Sequence, residues 1–171
     1  MKSIFLFAAL FTASAFASHA QDTTVLTRTP YKLHVAIAKN AAYEEDIKAT
    51  PYILPGNFVQ LYPGETVYAE VERDAGVIKS LKAVKENTNP SKTLVITFSQ
   101  SVNNGAHEMM QLKIANPFSQ TLVYKAKVIY LKGHKWIDTD VLPIQAGLSG
   151  IEMWPDIITV VALTDWTLQV K

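Results

Sequence analysis

The chain has 171 residues, with 16 Lys and Arg against 15 Asp and Glu, and it contains no cysteine. This length suits one domain with a proper buried core and is short for two. Without cysteine the chain can form no disulfide, no thiolate metal site, no cysteine nucleophile and no lipid-bearing cysteine of a bacterial lipoprotein. The near balance of charge argues against nucleic acid or an anionic membrane as the main partner, because both call for a basic excess.

The first twenty residues have the pattern of a secretory signal peptide. Lys2 supplies the positive start and Ile4–Phe11 supplies a short apolar run. Ser18 and Ala20 are small residues placed as a cleavage site requires, just before Gln21. The apolar run is well short of the roughly 20 residues that a spanning helix needs. We therefore predict that residues 1–20 are removed, that no segment spans a membrane, and that the protein is periplasmic or extracellular.

Apolar and polar residues then alternate with a period of two, which is typical of half-buried strands. The clearest alternating stretches are Leu33–Ile37, Val67–Val71, Leu94–Phe98, Met110–Ile114, Tyr124–Tyr130 and Trp166–Val170. Less regular strands are predicted over Phe58–Tyr62, Val77–Lys85 and Ile157–Leu163. Turn residues such as Pro63-Gly64 and Asn104-Gly105 separate them at spacings typical of a sandwich or barrel. The sequence thus predicts an all-β protein, an antiparallel β-sandwich of eight to ten strands.

Two stretches depart from this alternation. Asn40–Lys48 carries alanines and glutamates and is the one place where we predict a short helix. Residues 21–30 are rich in threonine and do not alternate, so we expect either a flexible N-terminus or an edge strand. The sandwich domain itself is predicted over residues 31–171.

Within the predicted strands, Leu112–Ala115 and Leu122–Ala126 flank an Asn116-Pro117 turn. This arrangement of strand, Asn-Pro turn and strand resembles that of bacterial immunoglobulin-like modules. The resemblance implies an immunoglobulin-like form of the sandwich. The Cys…Trp…Cys core of antibody-type domains is absent, so that subclass is excluded.

Residues with catalytic or metal-binding chemistry are sparse and scattered. His34, His107 and His134 show no short metal-binding spacing. Ser149 lies in a Gly-Leu-Ser-Gly turn that lacks the strand-to-helix context of a serine nucleophile. We therefore expect no cofactor and no metal site.

The acidic residues offer two pairs worth measuring in a structure. Asp138 and Asp140 share one side of an extended segment and could contribute to a calcium site. Glu152 and Asp156 flank Trp154 and could form the carboxylate pair of a glycosidase, which depends on their separation. A solvated hairpin end is the simpler explanation of the pair Asp138 and Asp140.

Tryptophan is concentrated near the C-terminus, at Trp136, Trp154 and Trp166. Trp166 lies in clean alternation, which predicts core packing. Trp136 follows a turn, and Trp154 precedes a proline that ends or edges a strand. An exposed tryptophan at either place would stack on a ligand or anchor a partner. Trp136, Trp154 and their neighbours His134 and Glu152 are therefore the predicted binding residues.

Together these features predict an exported, non-catalytic β-sandwich that binds an envelope protein or another partner. Contact is expected through an edge strand or through the turn aromatics, and the oligomeric state is left open. One alternative is a periplasmic assembly chaperone of immunoglobulin-like fold, with Lys125 and Lys127 as basic anchors. The other is a small secreted hydrolase, carbohydrate-active or metal-assisted, whose site would assemble from His34, His107, His134, Asp138, Asp140 and Glu152.

Overall fold

The computed structural model describes residues 25–169, and the predicted signal peptide and residues 21–24 lie outside that range. The described chain is nearly all strand, with one short 3-10 turn at Pro90–Lys92. The strands are β1 (Tyr31–Ala38), β2 (Ala41–Ile47), β3 (Ile53–Leu54), β4 (Phe58–Leu61), β5 (Thr66–Asp74), β6 (Val77–Val84), β7 (Thr93–Asn103), β8 (Ala106–Ala115), β9 (Thr121–Tyr130), β10 (Ile137–Thr139), β11 (Ser149–Trp154) and β12 (Ile158–Gln169).

Two five-stranded antiparallel sheets pack face to face and confirm the predicted all-β sandwich. The first sheet has the order β10-β9-β12-β4-β3, and the second has the order β11-β8-β7-β5-β6. The described residues form twelve strands rather than eight to ten, because β2, β3, β10 and β11 lie where no strand was predicted. In the opposite sense, the two strands predicted over residues 157–170 are one strand, β12, with an irregular register around Asp165 at a φ of 54°.

The core lies between the two sheets and follows the predicted alternation. β5, β7 and β8 each bury every second side chain over most of their length, because successive side chains of a strand point to opposite faces. The largest fully buried apolar side chains include Phe98, Phe118, Leu61, Leu94, Ile96, Met110, Leu112, Ile114, Leu122 and Ile158. The alternation therefore predicted the correct inner face for the three central strands of the second sheet, whereas β12, at the centre of the first sheet, buries six consecutive residues.

The helix predicted over Asn40–Lys48 is wrong, because this stretch contains β2, which pairs with β1 in a two-stranded hairpin. Pairing with β1 gives the backbone its hydrogen bonds, and it outweighs the helical composition of a segment too short to hold a helix by itself. Across the hairpin Lys32 lies 3.6 Å from Glu44. Leu33, Val35 and Ile47 are buried in a second small core that includes Tyr62, which follows β4, and Ile157, which precedes β12. The hairpin thus packs against one end of the sandwich.

Candidate interaction surface

One side of the sandwich is formed by a single stretch of chain that supplies an edge strand to each sheet. β10 pairs with β9, and Ile144 then bridges Leu122 farther along β9. The chain next crosses to the other sheet, where β11 runs back along β8 with Ser149 opposite Ala115. The two edge strands and the crossover at residues 140–148 therefore lie side by side.

A buried asparagine holds the crossover in place. Asn116 is only 2 % exposed, and it occupies the predicted Asn-Pro turn after β8. Its side-chain amide donates to the backbone carbonyls of Gln120, Ile144 and Gln145 at 2.9, 3.1 and 3.2 Å. Its side-chain oxygen accepts the N–H of Phe118 at 3.0 Å. One side chain thus ties the turn after β8 to the corner that leads into β11.

Exposed apolar side chains are concentrated on this side. The described residues expose ten large apolar side chains, and six of them lie between residues 136 and 153. Those six are Trp136, Ile137, Leu142, Leu148, Ile151 and Met153. Isolated apolar residues on a surface are ordinary, whereas a concentration of them in two edge strands and their connection indicates a contact surface.

In β11 the apolar residues Ile151 and Met153 occupy the positions that face solvent. Trp154 is buried and Glu152 and Gly150 are half-buried, whereas Ile151 and Met153 are each more than half exposed. Gly150 faces inward against Ile144, whose side chain lies 2.6 Å from where a Cβ would stand. The apolar pair therefore lies on the outer face of the second sheet, at its margin.

The hydrogen bonding of β11 follows the same phase. The N–H of Asn116 donates to the carbonyl of Leu148 at 2.9 Å, which makes this pair a hydrogen-bonded pair of the antiparallel ladder. Hydrogen-bonded and non-hydrogen-bonded pairs alternate along such a ladder. The backbone groups of Ser149, Ile151 and Met153 consequently point away from β8, toward the open edge of the sheet.

The opposite edges of both sheets are covered. Just before β3, the N–H of Arg28 donates to the carbonyl of Thr50 at 3.0 Å and the N–H of Tyr52 donates to the carbonyl of Leu26 at 3.4 Å, so residues 26–28 lie along the stretch that leads into β3. Beside β6, the side chain of Asn57 accepts the N–H of Leu81 at 2.9 Å and donates to the carbonyl of Lys79 at 3.3 Å. A side-chain amide thus takes the place of a neighbouring strand.

The hairpin edge is covered in the same way by Gln100. Its side-chain oxygen accepts the N–H of Ala36 at 2.9 Å, and its nitrogen donates to the carbonyl of Ala36 at 2.8 Å. The same nitrogen lies 2.9 Å from Nδ1 of His107, whose Nε2 lies 2.9 Å from the carbonyl of Pro155. The ring therefore accepts at Nδ1 and donates at Nε2. His107 is part of this link between β1 and the sandwich.

The four predicted binding residues have different surroundings. Trp154 is only 9 % exposed, and its indole N–H donates to the hydroxyl of Thr139 at 3.1 Å, so little of this ring is accessible to a ligand. Its position in β11 faces inward, although Pro155 follows the strand end as predicted. Trp136 is 37 % exposed and meets Phe58 edge to face at 5.9 Å. Its contact with a ligand stays a prediction.

The other two predicted binding residues, His134 and Glu152, have different settings. His134 is exposed in the loop between β9 and β10. Glu152 lies on β11 and accepts the backbone N–H of Leu142 at 2.8 Å. The core position predicted for Trp166 is confirmed, because its side chain is buried and stacks on Tyr124 at 5.4 Å.

The residues considered for a hydrolase are distributed over three sheets. His34 lies on β1, 3.5 Å from Glu44, and His107 lies on β8. Asp138 lies on β10 and pairs with Lys127 at 2.7 Å. Among residues 25–169, no three histidine, aspartate or glutamate side chains are grouped so that they could hold a metal ion.

The larger cavity, of about 1170 Å³, lies on the side away from β11, between β3 and β6. Leu26, Ile53 and Leu81 are among its apolar lining residues. Its charged groups make local contacts: Lys92 lies 3.4 Å from Glu70, and the carboxylate of Glu72 accepts the hydroxyl of Ser80 at 2.8 Å. Its rim carries no obvious excess of one charge that would select a ligand.

An ion pair that the sequence did not reveal is buried beside this cavity. Arg28 is 1 % exposed, and its Nε donates to Glu65 Oε1 at 2.8 Å. The guanidinium lies 4.7 Å from the ring centre of Tyr52 and 5.1 Å from that of Tyr62. The hydroxyl of Tyr31 donates to the same carboxylate oxygen at 3.3 Å. These contacts hold residues 26–28 against the edge of β3.

From the surroundings of two tyrosines, the half-buried Tyr31 and the buried Tyr124, we predict a loss of stability in alkali. Burial, reinforced by the carboxylate of Glu65, raises the pKa of Tyr31 far above its usual value. Burial, with a smaller effect of Glu152, does the same to the pKa of Tyr124. The folded state thus favours the neutral phenols. Their contribution to stability is complete below the ordinary pKa of about 10 and is lost as the pH rises toward the folded values.

We expect the free energy of unfolding, measured with denaturant at a series of pH values, to fall above about pH 10. In Tyr31→Phe and Tyr124→Phe this fall should be shallower, because each variant removes one phenol. Lysines lose their charge in the same range, so the difference between variant and parent is the informative quantity. Identical slopes for all three proteins would contradict a role for these phenols.

No known protein family, curated protein or solved structure matches the chain. Within the described residues, the fold and this surface define an antiparallel β-sandwich in which the edge strand β11 is open and carries exposed apolar side chains. Within residues 25–169, no helix is long and apolar enough to cross a membrane.

Proposed function

We propose that the protein is an exported, non-catalytic binding module that holds a partner protein by β-strand addition at β11. In this mode an extended segment of the partner pairs with an open sheet edge, and main-chain hydrogen bonds supply much of the affinity. Ser149, Ile151 and Met153 direct backbone groups to that edge. Export is supported by the signal-peptide pattern of residues 1–20.

The observation that carries this proposal is the contrast between β11 and the other edges. Folded proteins protect sheet edges, since an open edge pairs readily with another chain. Here β3 is covered by residues 26–28, β6 by Asn57 and β1 by Gln100. β10 is only three residues long. β11 has six residues and a pair of exposed apolar side chains, Ile151 and Met153. β2 pairs only with β1, but three of its seven residues are carboxylates, and charged side chains guard an edge. β11 thus combines an open edge with exposed apolar side chains.

Two ion pairs on β9 count against the alternative of an assembly chaperone. Basic anchors for a chaperone would need free lysines on β9. Lys125 lies 2.9 Å from Asp165, and Lys127 lies 2.7 Å from Asp138. Each lysine therefore already has a carboxylate partner on a neighbouring strand. Of the two turn aromatics, only Trp136 is exposed enough to add contact area beside the strand.

A pair of substitutions at Ile151 tests strand addition. Ile151→Pro removes an N–H that points to the open edge, and proline is tolerated at such positions because the ladder to β8 is not used. Ile151→Glu replaces the apolar contact by a charge that faces Lys113, its cross-strand neighbour. We expect both variants to fold. In quantitative co-purification, each should retain about a tenth, or less, of the envelope protein that the parent retains.

The matched control is Val77→Glu, which changes an exposed apolar residue on the edge strand β6. This variant should retain the same proteins as the parent. The proposal fails if proteins held by the parent are held equally by both Ile151 variants, or if Val77→Glu loses them to the same extent.

A further inference from the structure

We infer that the segment which pairs with β11 is the β11 strand of a second copy of this chain, in an antiparallel register centred on Ile151. This inference rests on the proposed strand addition and names its partner. The two second sheets would join into one continuous ten-stranded sheet across a two-fold axis. A strand that meets its own copy about such an axis must be complementary to itself in hydrogen bonding, charge and shape.

The hydrogen-bonding phase selects the register. The open edge offers the backbone groups of Ser149, Ile151 and Met153. A two-fold axis at Ile151 pairs Ile151 with Ile151 of the second copy, and it pairs Ser149 with Met153 in both directions. All three outward residues then form hydrogen-bonded pairs. An axis at Glu152 would instead place Ser149 opposite Pro155, which has no N–H.

The charges favour the same register. With the axis at Ile151, Glu152 lies opposite Gly150 of the second copy, so no two carboxylates face each other. With the axis at Glu152, the two Glu152 side chains would be directly opposite, and like charges at that position destabilise a pair of strands. With the axis at Gly150, Met153 would fall opposite Gly147, which lies outside β11. Charge and pairing thus select one alignment.

The exposed side chains are also placed for this contact. Ile151 and Met153 share the outer face, and both are more than half exposed. In the inferred register the two Ile151 side chains meet at the axis, and each Met153 lies beside a Ser149. Four apolar side chains are thereby removed from water together, which supplies the driving force. Because a two-fold contact uses β11 in both copies, the assembly closes as a dimer.

Disulfide trapping tests the register directly, since the natural chain has no cysteine. Residues in a hydrogen-bonded antiparallel pair have Cα atoms about 5.5 Å apart, within the reach of a disulfide. We expect Ile151→Cys to form a crosslinked dimer in most molecules under mild oxidation. The two Met153 residues would lie roughly 13 Å apart along the strands, so Met153→Cys alone should not crosslink. A mixture of Ser149→Cys and Met153→Cys should crosslink.

Val77→Cys on β6 is the control for random collision. Sedimentation of the parent over a range of concentrations should show a monomer–dimer equilibrium, shifted about tenfold or more toward monomer by Ile151→Pro. A monomer throughout, with Ile151→Cys no more crosslinked than Val77→Cys, overturns the inference. So does crosslinking of Met153→Cys alone. Either result leaves strand addition to other proteins to be decided by the co-purification of the Ile151 variants.

Discussion

Glu65→Ala is expected to lower the free energy of unfolding by about 3–5 kcal/mol, because it leaves a charged guanidinium buried without its partner. Arg28 is almost completely buried, and arginine does not lose its proton in proteins. The two tyrosine rings that flank the guanidinium offer a weak cation–π attraction and cannot replace a carboxylate. The change in stability should be measured by denaturant unfolding at neutral pH.

Two further variants distinguish the cost of an unpaired buried charge from the cost of losing any ion pair. The double substitution of Arg28→Met with Glu65→Leu removes both charges, so it should recover much of the lost stability. Lys127→Met breaks the exposed pair with Asp138 and should change stability by about 1 kcal/mol or less. If Glu65→Ala and Lys127→Met cost the same, the buried pair is not the constraint that its geometry indicates.

The ion pair of Arg28 and Glu65 also holds residues 26–28 beside the edge of the first sheet. Arg28 donates from Nη2 to the carbonyl of Gln60 at 2.9 Å and contacts Thr50, so it joins residues 26–28 to β4 and to the stretch that leads into β3. Releasing this segment would uncover the edge at β3. The protein would then present a second open edge beside β11, which is a recognised route to aggregation. Glu65→Ala should therefore reduce solubility as well as stability.

Alternation in the sequence was sufficient for strands that bury one face against the other sheet. The alternation placed β5, β7, β8 and β9 correctly, because a period of two depends only on which face of a strand is buried. β2 escaped detection because only Ile47 is buried in it. With nearly every side chain exposed, this strand exists because of its pairing with β1, and its local composition then favoured a helix.

β11 was missed for a different reason. Its apolar residues Ile151 and Met153 face solvent, whereas Gly150 and Glu152 face inward. Its phase is set by pairing with β8 and by the close approach of Ile144 to Gly150, and neither contact leaves a trace in the local sequence. The one usable signal was the alternation of isoleucine and methionine with glutamate just after a glycine-bounded turn. That pattern indicates a strand but does not indicate which face of the strand is buried.

The polar contacts that shape the surface could not be predicted at all. Asn57 meets Leu81 across 24 positions, and Gln100 meets Ala36 across 64 positions. An asparagine or glutamine in a sequence is ordinarily a solvated residue. Only the tertiary structure shows that these amides cover strand edges. Without a comparison of the covered edges with β11, the open edge of β11 could not be recognised.

Asn116→Ala is expected to lower the free energy of unfolding by about 1–3 kcal/mol, because the buried N–H of Phe118 loses its partner. A buried polar group left unsatisfied costs about 1–3 kcal/mol. The N–H of Phe118 bonds to this side chain in buried surroundings, whereas the carbonyl of Ile144 also accepts the N–H of Leu122 at 2.9 Å and keeps that partner. Denaturant unfolding measures the loss, and Asn103→Ala, at an exposed position in β7, should change stability by about 0.5 kcal/mol or less.

The same substitution should act on binding through the position of β11. The crossover at residues 140–148 is held to the turn after β8 by Asn116, so its backbone amides should exchange with deuterium faster in Asn116→Ala. A less fixed corner leaves the outward groups of Ile151 and Met153 less well ordered for pairing, and contacts made through this edge should weaken. Faster exchange throughout the sandwich, with no preference for residues 140–148, would show that Asn116 supports the whole fold rather than this corner.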